Sequence, residues 1–343
     1  MINVLVIDDS PLIRQILTQV LNQADDIKVV GCAEDPYQAR DMIKQLNPDV
    51  LTLDIEMPRM DGISFLKNLM RLRPMPVVMI STLTQKGSPI TLEALELGAV
   101  DFVAKPKINV SEQFAQYAQL VQQKVRTAAS ARIRSFKLPA NVAIDTSAKQ
   151  HFINTKVLAI GASTGGTEAI KEVLINMPVN CPPLMITQHI PPVFSKSFAL
   201  RMDKTCAINV KEACHGDKLA PGWAYIAPGD QHLSIKLQNG SLYCQLDASD
   251  PINRHRPSVD VLFNSMAKVC PTHTVAALLT GMGSDGAKGL LSLRELGAYT
   301  MAQDELSSVV WGMPKAAIEL NAAIDVVSLD KIASNLLRHA VKK

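Results

Sequence analysis

The sequence predicts two α/β domains in series, each built on a parallel sheet covered by helices, the second with an antiparallel β insert. Three observations predict this. Apolar runs of strand length alternate with helical periodicity in both halves, and strand–helix alternation requires parallel strands joined by crossover helices. The alternation lapses once, near the middle of the 343 residues, a length suited to about two domains. An Asn-Gly pair flanked by period-two alternation then marks a hairpin late in the chain.

The first domain is expected over residues 1–122. Val4–Ile7, Lys28–Ala33, Val50–Leu53, Val77–Ile80 and Phe102–Val103 read as buried strands. Ser10 is a natural N-cap and Pro11 suits a first helical turn. Ile13, Ile16, Leu17, Val20 and Leu21 then form one apolar stripe. Residues 123–153 read as an exposed linker. From residue 126 to 156, Arg126, Arg132, Arg134, Lys137, Lys149 and Lys156 face the single acid Asp145, and sustained periodicity is lost after the first turns.

The second domain, 154–343, resumes the alternation. Val157–Ile160, Leu184–Thr187 and Val275–Thr280 read as central strands, and Ile170, Val173, Leu174 and Met177 form a helical stripe. Between 206 and 246 the segments shorten. Leu233, Ile235 and Leu237 alternate, as do Leu242, Cys244 and Leu246, across Asn239-Gly240.

Composition narrows the function classes. Hydrophobic residues are 47% and charged residues 20%, enough to fill real cores. Lys plus Arg total 35 against 32 Asp plus Glu, a net charge of +3 that makes nucleic acid no default partner. No stretch reaches the roughly 18 apolar residues of a membrane span. Asp8 and Asp9 interrupt the place where a signal peptide is apolar, so a cytoplasmic protein without membrane insertion is expected. The six cysteines form no Cys-x-x-Cys pair, and Cys214-His215 has no second ligand pair at zinc spacing, so reduced thiols are expected.

Two sets of residues carry chemistry. Asp8 and Asp9 end the first strand and Asp54 ends another, and ligands of open parallel sheets sit beyond such carboxyl ends. Three carboxylates there repel one another unless a cation binds, and an oxygen-only ligand set suits Mg²⁺. Ser81 and Lys105 follow further strands and could reach a phosphoryl group on Asp54. Paired acids alone would be as readily a solvated turn. Their coincidence with Asp54, Ser81 and Lys105 favours a phosphoryl site.

The second set begins with Gly161-Ala-Ser163-Thr164-Gly165-Gly166, between a strand and a helix. Gly161-x-Ser163-x-Gly165 fits a nucleophile elbow, with a helix N-terminus behind it suited to an oxyanion. A phosphate or dinucleotide loop is the alternative. It lacks the Gly-x-Gly-x-x-Gly spacing, and no acid occurs from 173 to 202 to bind a ribose. A serine needs a base held by a third group. His189 and Asp285 each follow a predicted parallel strand, which brings all three to one rim. His189 alone could be a core histidine, Asp285 alone could cap the next helix, and His255 in Arg254-His-Arg-Pro257 rivals His189 as base.

Val6-Ile-Asp-Asp-Ser10, Leu53-Asp54-Ile-Glu-Met-Pro58, Asp61-Gly62 and Ala104-Lys105-Pro106 resemble the receiver domain of response regulators. Ala159–Gly166, Ile186–Pro192, His255–Asp260 and Leu279–Gly286 resemble the catalytic domain of the chemotaxis receptor methylesterase family, CheB. The resemblance spans nearly the whole chain. It implies a flavodoxin-like (βα)5 receiver ahead of a doubly wound catalytic domain. In the receiver it implies phosphorylation at Asp54, Mg²⁺ at Asp8, Asp9 and Asp54, switching through Ser81 and Lys105, and a cis Lys105–Pro106 bond. In the catalytic domain it implies Ser163 as nucleophile, His189 as general base and acid, Asp285 as orienting carboxylate, and Thr164 and Met282 lining the site and its oxyanion hole.

The implied activity is hydrolysis of glutamate γ-methyl esters on methylated chemoreceptors, releasing methanol, with deamidation of receptor glutamines and no cofactor for the esterase step. The chemotaxis histidine kinase CheA is the implied phosphodonor, and the unphosphorylated receiver is expected to cover the active site. Two other classes compete with this one: a receiver with a DNA-binding output, and a nonenzymatic nucleotide-sensing module that uses Gly161–Gly166 as a phosphate loop.

Overall fold

The computed structural model describes residues 1–81, 88–106, 111–133, 152–153 and 155–341, with the helical backbone alone at 88 and 111–113. The chain divides into two compact units, 1–140 and 141–343.

In the first unit the strands are β1 (Ile2–Ile7), β2 (Ile27–Ala33), β3 (Val50–Asp54), β4 (Val77–Ser81) and β5 (Asp101–Ala104). They alternate with α1 (Pro11–Asn22), α2 (Pro36–Leu46), α3 (Gly62–Leu72), α4 (Ser88–Glu96) and α5 (Ser111–Ala129). All pairings are parallel, in the order β2-β1-β3-β4-β5. β3 and β4 are buried at every position, which is why they read as unbroken apolar runs instead of alternating ones.

Helix α1 buries Ile13, Leu17, Val20 and Leu21 as its stripe predicts. Ser10 occupies the N-cap position, but its hydroxyl makes no capping bond. Its backbone N–H instead donates to Asp8 Oδ1 at 2.9 Å, so a carboxylate two residues back does the local ordering.

Helix α5 runs to Ala129, into the stretch expected to be linker. Arg126 belongs to that helix and donates twice to Asp26 at 2.7 Å, so it is not part of a free basic run. Residues 134–151 of the expected linker lie outside the described residues.

The second unit holds β6 (Val157–Ala162), α6 (Gly166–Ile175), β7 (Leu184–Gln188), α7 (Pro192–Thr205), β8 (Asn209–Glu212) and β9 (Trp223–Ile226). The hairpin β10 (His232–Gln238) and β11 (Ser241–Asp247) follows, then α8 (Val259–Val269), β12 (Thr274–Leu278) and α9 (Ala287–Glu295). The chain ends through β13 (Tyr299–Gln303), α10 (Met313–Glu319), β14 (Asp325–Val327) and α11 (Leu329–Arg338). Seven strands form one parallel sheet in the order β14-β13-β12-β6-β7-β9-β8. Strand β12 stops at Leu278, two residues short of the expected end.

The antiparallel insert is smaller than the 206–246 pattern suggests. Among the described strands β10 and β11 pair antiparallel, with one bridge from Lys218 to Tyr243 beside them, while β8 and β9 join the parallel sheet. A parallel neighbour needs a long connection. Residues 213–222 supply one by crossing to the hairpin, where Leu219 N–H donates to Leu242 O at 2.9 Å and Cys244 N–H to Asp217 O at 2.8 Å. Asn239 and Gly240 both have positive φ, 48° and 73°, as a two-residue hairpin turn requires.

Strand order places the site. The chain leaves β6 toward β7 on one side and returns through β12 on the other. The sheet therefore reverses its winding at β6, and the crevice beyond the carboxyl ends of β12, β6 and β7 is where doubly wound sheets take ligands. Beneath it, Phe263, Leu262, Met266, Leu278 and Leu290 are fully buried in one apolar cluster. Among the described residues no helix is long and apolar enough to cross a membrane. Phe263→Ala is expected to cost the second unit about 3–5 kcal/mol, read as a fall in its denaturant midpoint.

Candidate active site and receiver site

Ser163, His189 and Asp285, from three different strand ends, form one chain of hydrogen bonds. His189 Nδ1 lies 3.1 Å from Ser163 Oγ, and His189 Nε2 lies 2.8 Å from Asp285 Oδ2. A carboxylate accepts only, so Nε2 carries the proton and Nδ1 is left with a lone pair aimed at the serine.

Local structure fixes each member. Ser163 follows β6, and its N–H donates to Thr280 O at 3.0 Å while Gly166 N–H donates to Ser163 O at 2.7 Å. Gly281 lies under it: a Cβ there would sit 2.7 Å from Ser163 Cβ, so no other residue fits. Gln188 Nε2 donates to the carbonyls of both Ser163 and His189, at 2.8 and 3.1 Å, tying nucleophile to base through their backbones.

Asp285 caps a helix, but not the one that follows it. It meets the start of α8, where Val259 N–H donates to Oδ2 at 2.7 Å and Asp260 N–H to Oδ1 at 3.3 Å. Ser258 Oγ and Asn253 Nδ2 each donate to Oδ1 at 2.7 Å. Gly161 makes this approach possible, because a Cβ there would stand 2.2 Å from Val259 Cγ1. Burial alone would raise this carboxyl. The His189 hydrogen bond and charge, with the Asn253 and Ser258 donors, outweigh it and hold Asp285 well below the ordinary carboxylate range.

The rival histidine is close at hand. His255 stacks on His189 with ring centroids 3.7 Å apart and 11° between planes, so it meets the base by its face and the serine's hydrogen bond is made by His189. Thr164 is 7% exposed at the start of the elbow helix, and Met282, 36% exposed, lies between Gly281 and Gly283 beside the nucleophile.

The glycine loop is filled by protein. A Cβ at Gly165 would meet Val309 at 2.7 Å, and one at Gly166 would meet Gln188 Oε1 at 2.1 Å. These glycines admit neighbouring side chains, which argues against a phosphate loop. Reading the sequence missed Gln188, Asn253 and Ser258. Only Ser258 and Asn253 carried a signal, by flanking the Arg254-His-Arg-Pro257 motif.

The acid cluster lies in the other unit. Asp8, Asp9 and Asp54 each offer a carboxylate oxygen within 4.8 Å of the others. Asp8 and Asp54 are buried, and Lys105 Nζ lies 2.7 Å from Asp54 Oδ2 and 3.2 Å from Asp8 Oδ2. Burial pushes Asp54 up to about 6 against the pull of Lys105, with the Asp8 charge adding to the rise. Burial likewise raises Asp8, whose Oδ2 makes no hydrogen bond of good geometry. Three acids balanced by one lysine, with a buried oxygen unsatisfied, fit a hard divalent cation.

Gly62 lets α3 approach, since a Cβ there would lie 2.0 Å from Asp54 O. Ser81 is buried, and its hydroxyl shares a 3.1 Å hydrogen bond with Thr91 and not with Asp54. The cis bond among the described residues is Arg256–Pro257, not Lys105–Pro106. Lys105 still faces the acids because its N–H donates to Ser81 O at 2.8 Å.

Comparison with known proteins places each half of the chain in a family. Residues 158–336 match the CheB methylesterase family model, and residues 4–114 match the response regulator receiver domain. A protein-glutamate methylesterase/protein-glutamine glutaminase of Nitrosomonas europaea is 53% identical, aligned over 99% of this chain and 97% of its own. One from Photorhabdus laumondii is 54% identical over 98% of this chain and 96% of its own. The crystal structure of the Thermotoga maritima CheB methylesterase catalytic domain is 43% identical, with a TM-score of 0.53. It covers 54% of this chain and 99% of that one.

Asp285→Asn should lower acyl-transfer turnover about 10⁴-fold, because an amide can hold His189 in the wrong tautomer, and should also destabilise the second unit, because its NH2 would face buried donors. The same variant has a stability signature. A carboxyl depressed in the folded state stabilises above its unfolded value, 3.8, and that contribution fades as pH falls toward the folded one. The thermal midpoint of the second unit should therefore drop on acidification below about pH 4, and less steeply in Asp285→Asn.

Proposed function

Because the chain belongs to the CheB methylesterase family and carries a response regulator receiver domain ahead of the catalytic one, we propose that it is a phosphorylation-regulated serine hydrolase of methylated chemoreceptors. It acts as a protein-glutamate methylesterase and protein-glutamine glutaminase. The receiver expected over 1–122 extends through α5 to Ala129, and 154–343 is the catalytic domain. The observation that carries the reading is His189, whose two ring nitrogens reach Ser163 and Asp285 at once.

In this reading Ser163 Oγ attacks the γ-ester carbonyl of a methylated glutamate while His189 Nδ1 takes its proton. The Asp285 carboxylate, fixed by α8, balances the imidazolium that forms. Backbone donors of the elbow, at and around Thr164, with the Met282 segment opposite, hold the oxyanion. His189 then returns the proton to the leaving oxygen, and methanol departs. Water, activated by the same base, opens the acyl-serine and leaves a glutamate carboxylate. A glutamine side chain enters the same path, with ammonia as the leaving group.

The receiver supplies control. Mg²⁺ held by Asp8, Asp9 and Asp54 would offset the negative charge at the moment of phosphoryl transfer. Asp54, buried and only partly neutralised by Lys105, is the acceptor, and the chemotaxis histidine kinase CheA is the phosphodonor in this reading. The phosphoryl group adds up to about two negative charges, which Lys105 and the Ser81 hydroxyl would sense in this reading.

Ser163→Ala should lower methanol release from methyl-labelled receptor membranes about 10⁴–10⁶-fold; full retained activity would refute the assignment. Asp54→Asn should keep the basal rate and lose stimulation by a small-molecule phosphodonor. Undiminished stimulation would remove Asp54 from the reading.

A further inference from the structure

Resting on the esterase reading above, we propose that His255 is a positioning residue for the reaction: its ring face holds His189 in the plane that serves Ser163 and Asp285 together. The need for such a face follows from the geometry. The two hydrogen bonds of His189 grip opposite nitrogens, at 3.1 and 2.8 Å. With Cβ–Cγ as the covalent tether, the imidazole keeps some torsional freedom about Cα–Cβ and Cβ–Cγ. Such torsion swings the Nδ1 lone pair off the serine proton, and a contact on the ring face opposes it. His255 makes that contact, with centroids 3.7 Å apart and planes 11° from parallel.

His255 is itself firmly placed. Ile252 and His255 exchange both backbone hydrogen bonds, at 3.1 and 2.9 Å, closing a turn through Asn253 and Arg254. Those two residues have φ of 53° and 68°, a left-handed conformation that side chains rarely adopt. Strain of this kind persists where surrounding contacts impose it, and it clusters at functional sites. The contacts are present here. Asn253 Nδ2 donates to Asp285 Oδ1 at 2.7 Å and to Asp260 Oδ2 at 2.8 Å. Arg256 donates to Ala248 O and Ser249 O at 2.7 and 3.0 Å. One four-residue turn thus steadies the orienting carboxylate by its second residue and the base by its fourth.

The test uses the full chain and methanol release from methyl-labelled receptor membranes. His255→Phe keeps a flat ring and should hold kcat within about threefold. His255→Leu, similar in size but without a ring face, and His255→Gln, polar but without one, should each lower kcat at least tenfold with KM unchanged. Misplacement of a reacting group commonly costs up to about 10²-fold. Unchanged kcat in the Leu and Gln variants, a loss confined to KM, or a Phe variant that falls as far as they do would overturn the proposal. A Ser163→Ala control that still releases methanol would instead sink the esterase reading, so the two failures are distinguishable.

Discussion

The second unit is organised around one buried anion. Asp285 brings a carboxylate to the N-terminus of α8 and receives hydrogen bonds from two backbone amides, a hydroxyl, an amide side chain and the imidazole. An unpartnered charge at 2% exposure would be ruinous, so every donor must be delivered to within hydrogen-bonding reach. That requirement reaches far into the fold. It fixes Gly161, which lets Val259 come close, and it engages the unusual turn at Asn253. It also gives α8 its counter-charge, since the helix dipole and the carboxylate stabilise each other.

The two units solve related problems by opposite means. Both gather functional groups at the carboxyl ends of parallel strands. In the first, buried acids are left short of positive charge, with one lysine between Asp8 and Asp54, and that shortage suits a cation and a phosphoryl group. In the second, the acid is over-supplied with donors, and its fixed negative charge is directed onto one imidazole. The same sheet architecture therefore yields a site that exchanges charge with solution and one that keeps its charge constant.

Much of this was legible in the chain. Strand ends are marked by apolar runs that stop abruptly, so Asp8, Asp54, Ser163 and His189 could be placed on rims by counting. Asp285 follows Leu278 through Gly281 and Gly283 in the same way. Ser258, Asn253 and Gln188 escaped because their roles depend on tertiary approach: each donates across 25 or more positions of sequence, and periodicity carries no such information. The fates of β8 and β9 were hidden for a similar reason. Short alternating strands look alike whether they run with or against a neighbour, and direction was decided by a connection that crosses over to the hairpin. Arg126 read as linker because helical periodicity fades there, while its bond to Asp26 lies 100 positions away.

The separation of the triad along the chain has a consequence for biosynthesis. The imidazole's anchor is 96 positions beyond the imidazole itself, on the far side of β12 in the order of assembly. A growing polypeptide that has exposed the serine elbow outside the ribosome has yet to make the loop after β12 that carries Asp285. Parallel sheets of such long-range pairing also close slowly. A fragment that stops short of Asp285 therefore lacks the carboxylate that orients the base, and full acyl-transfer competence waits for that residue to be made.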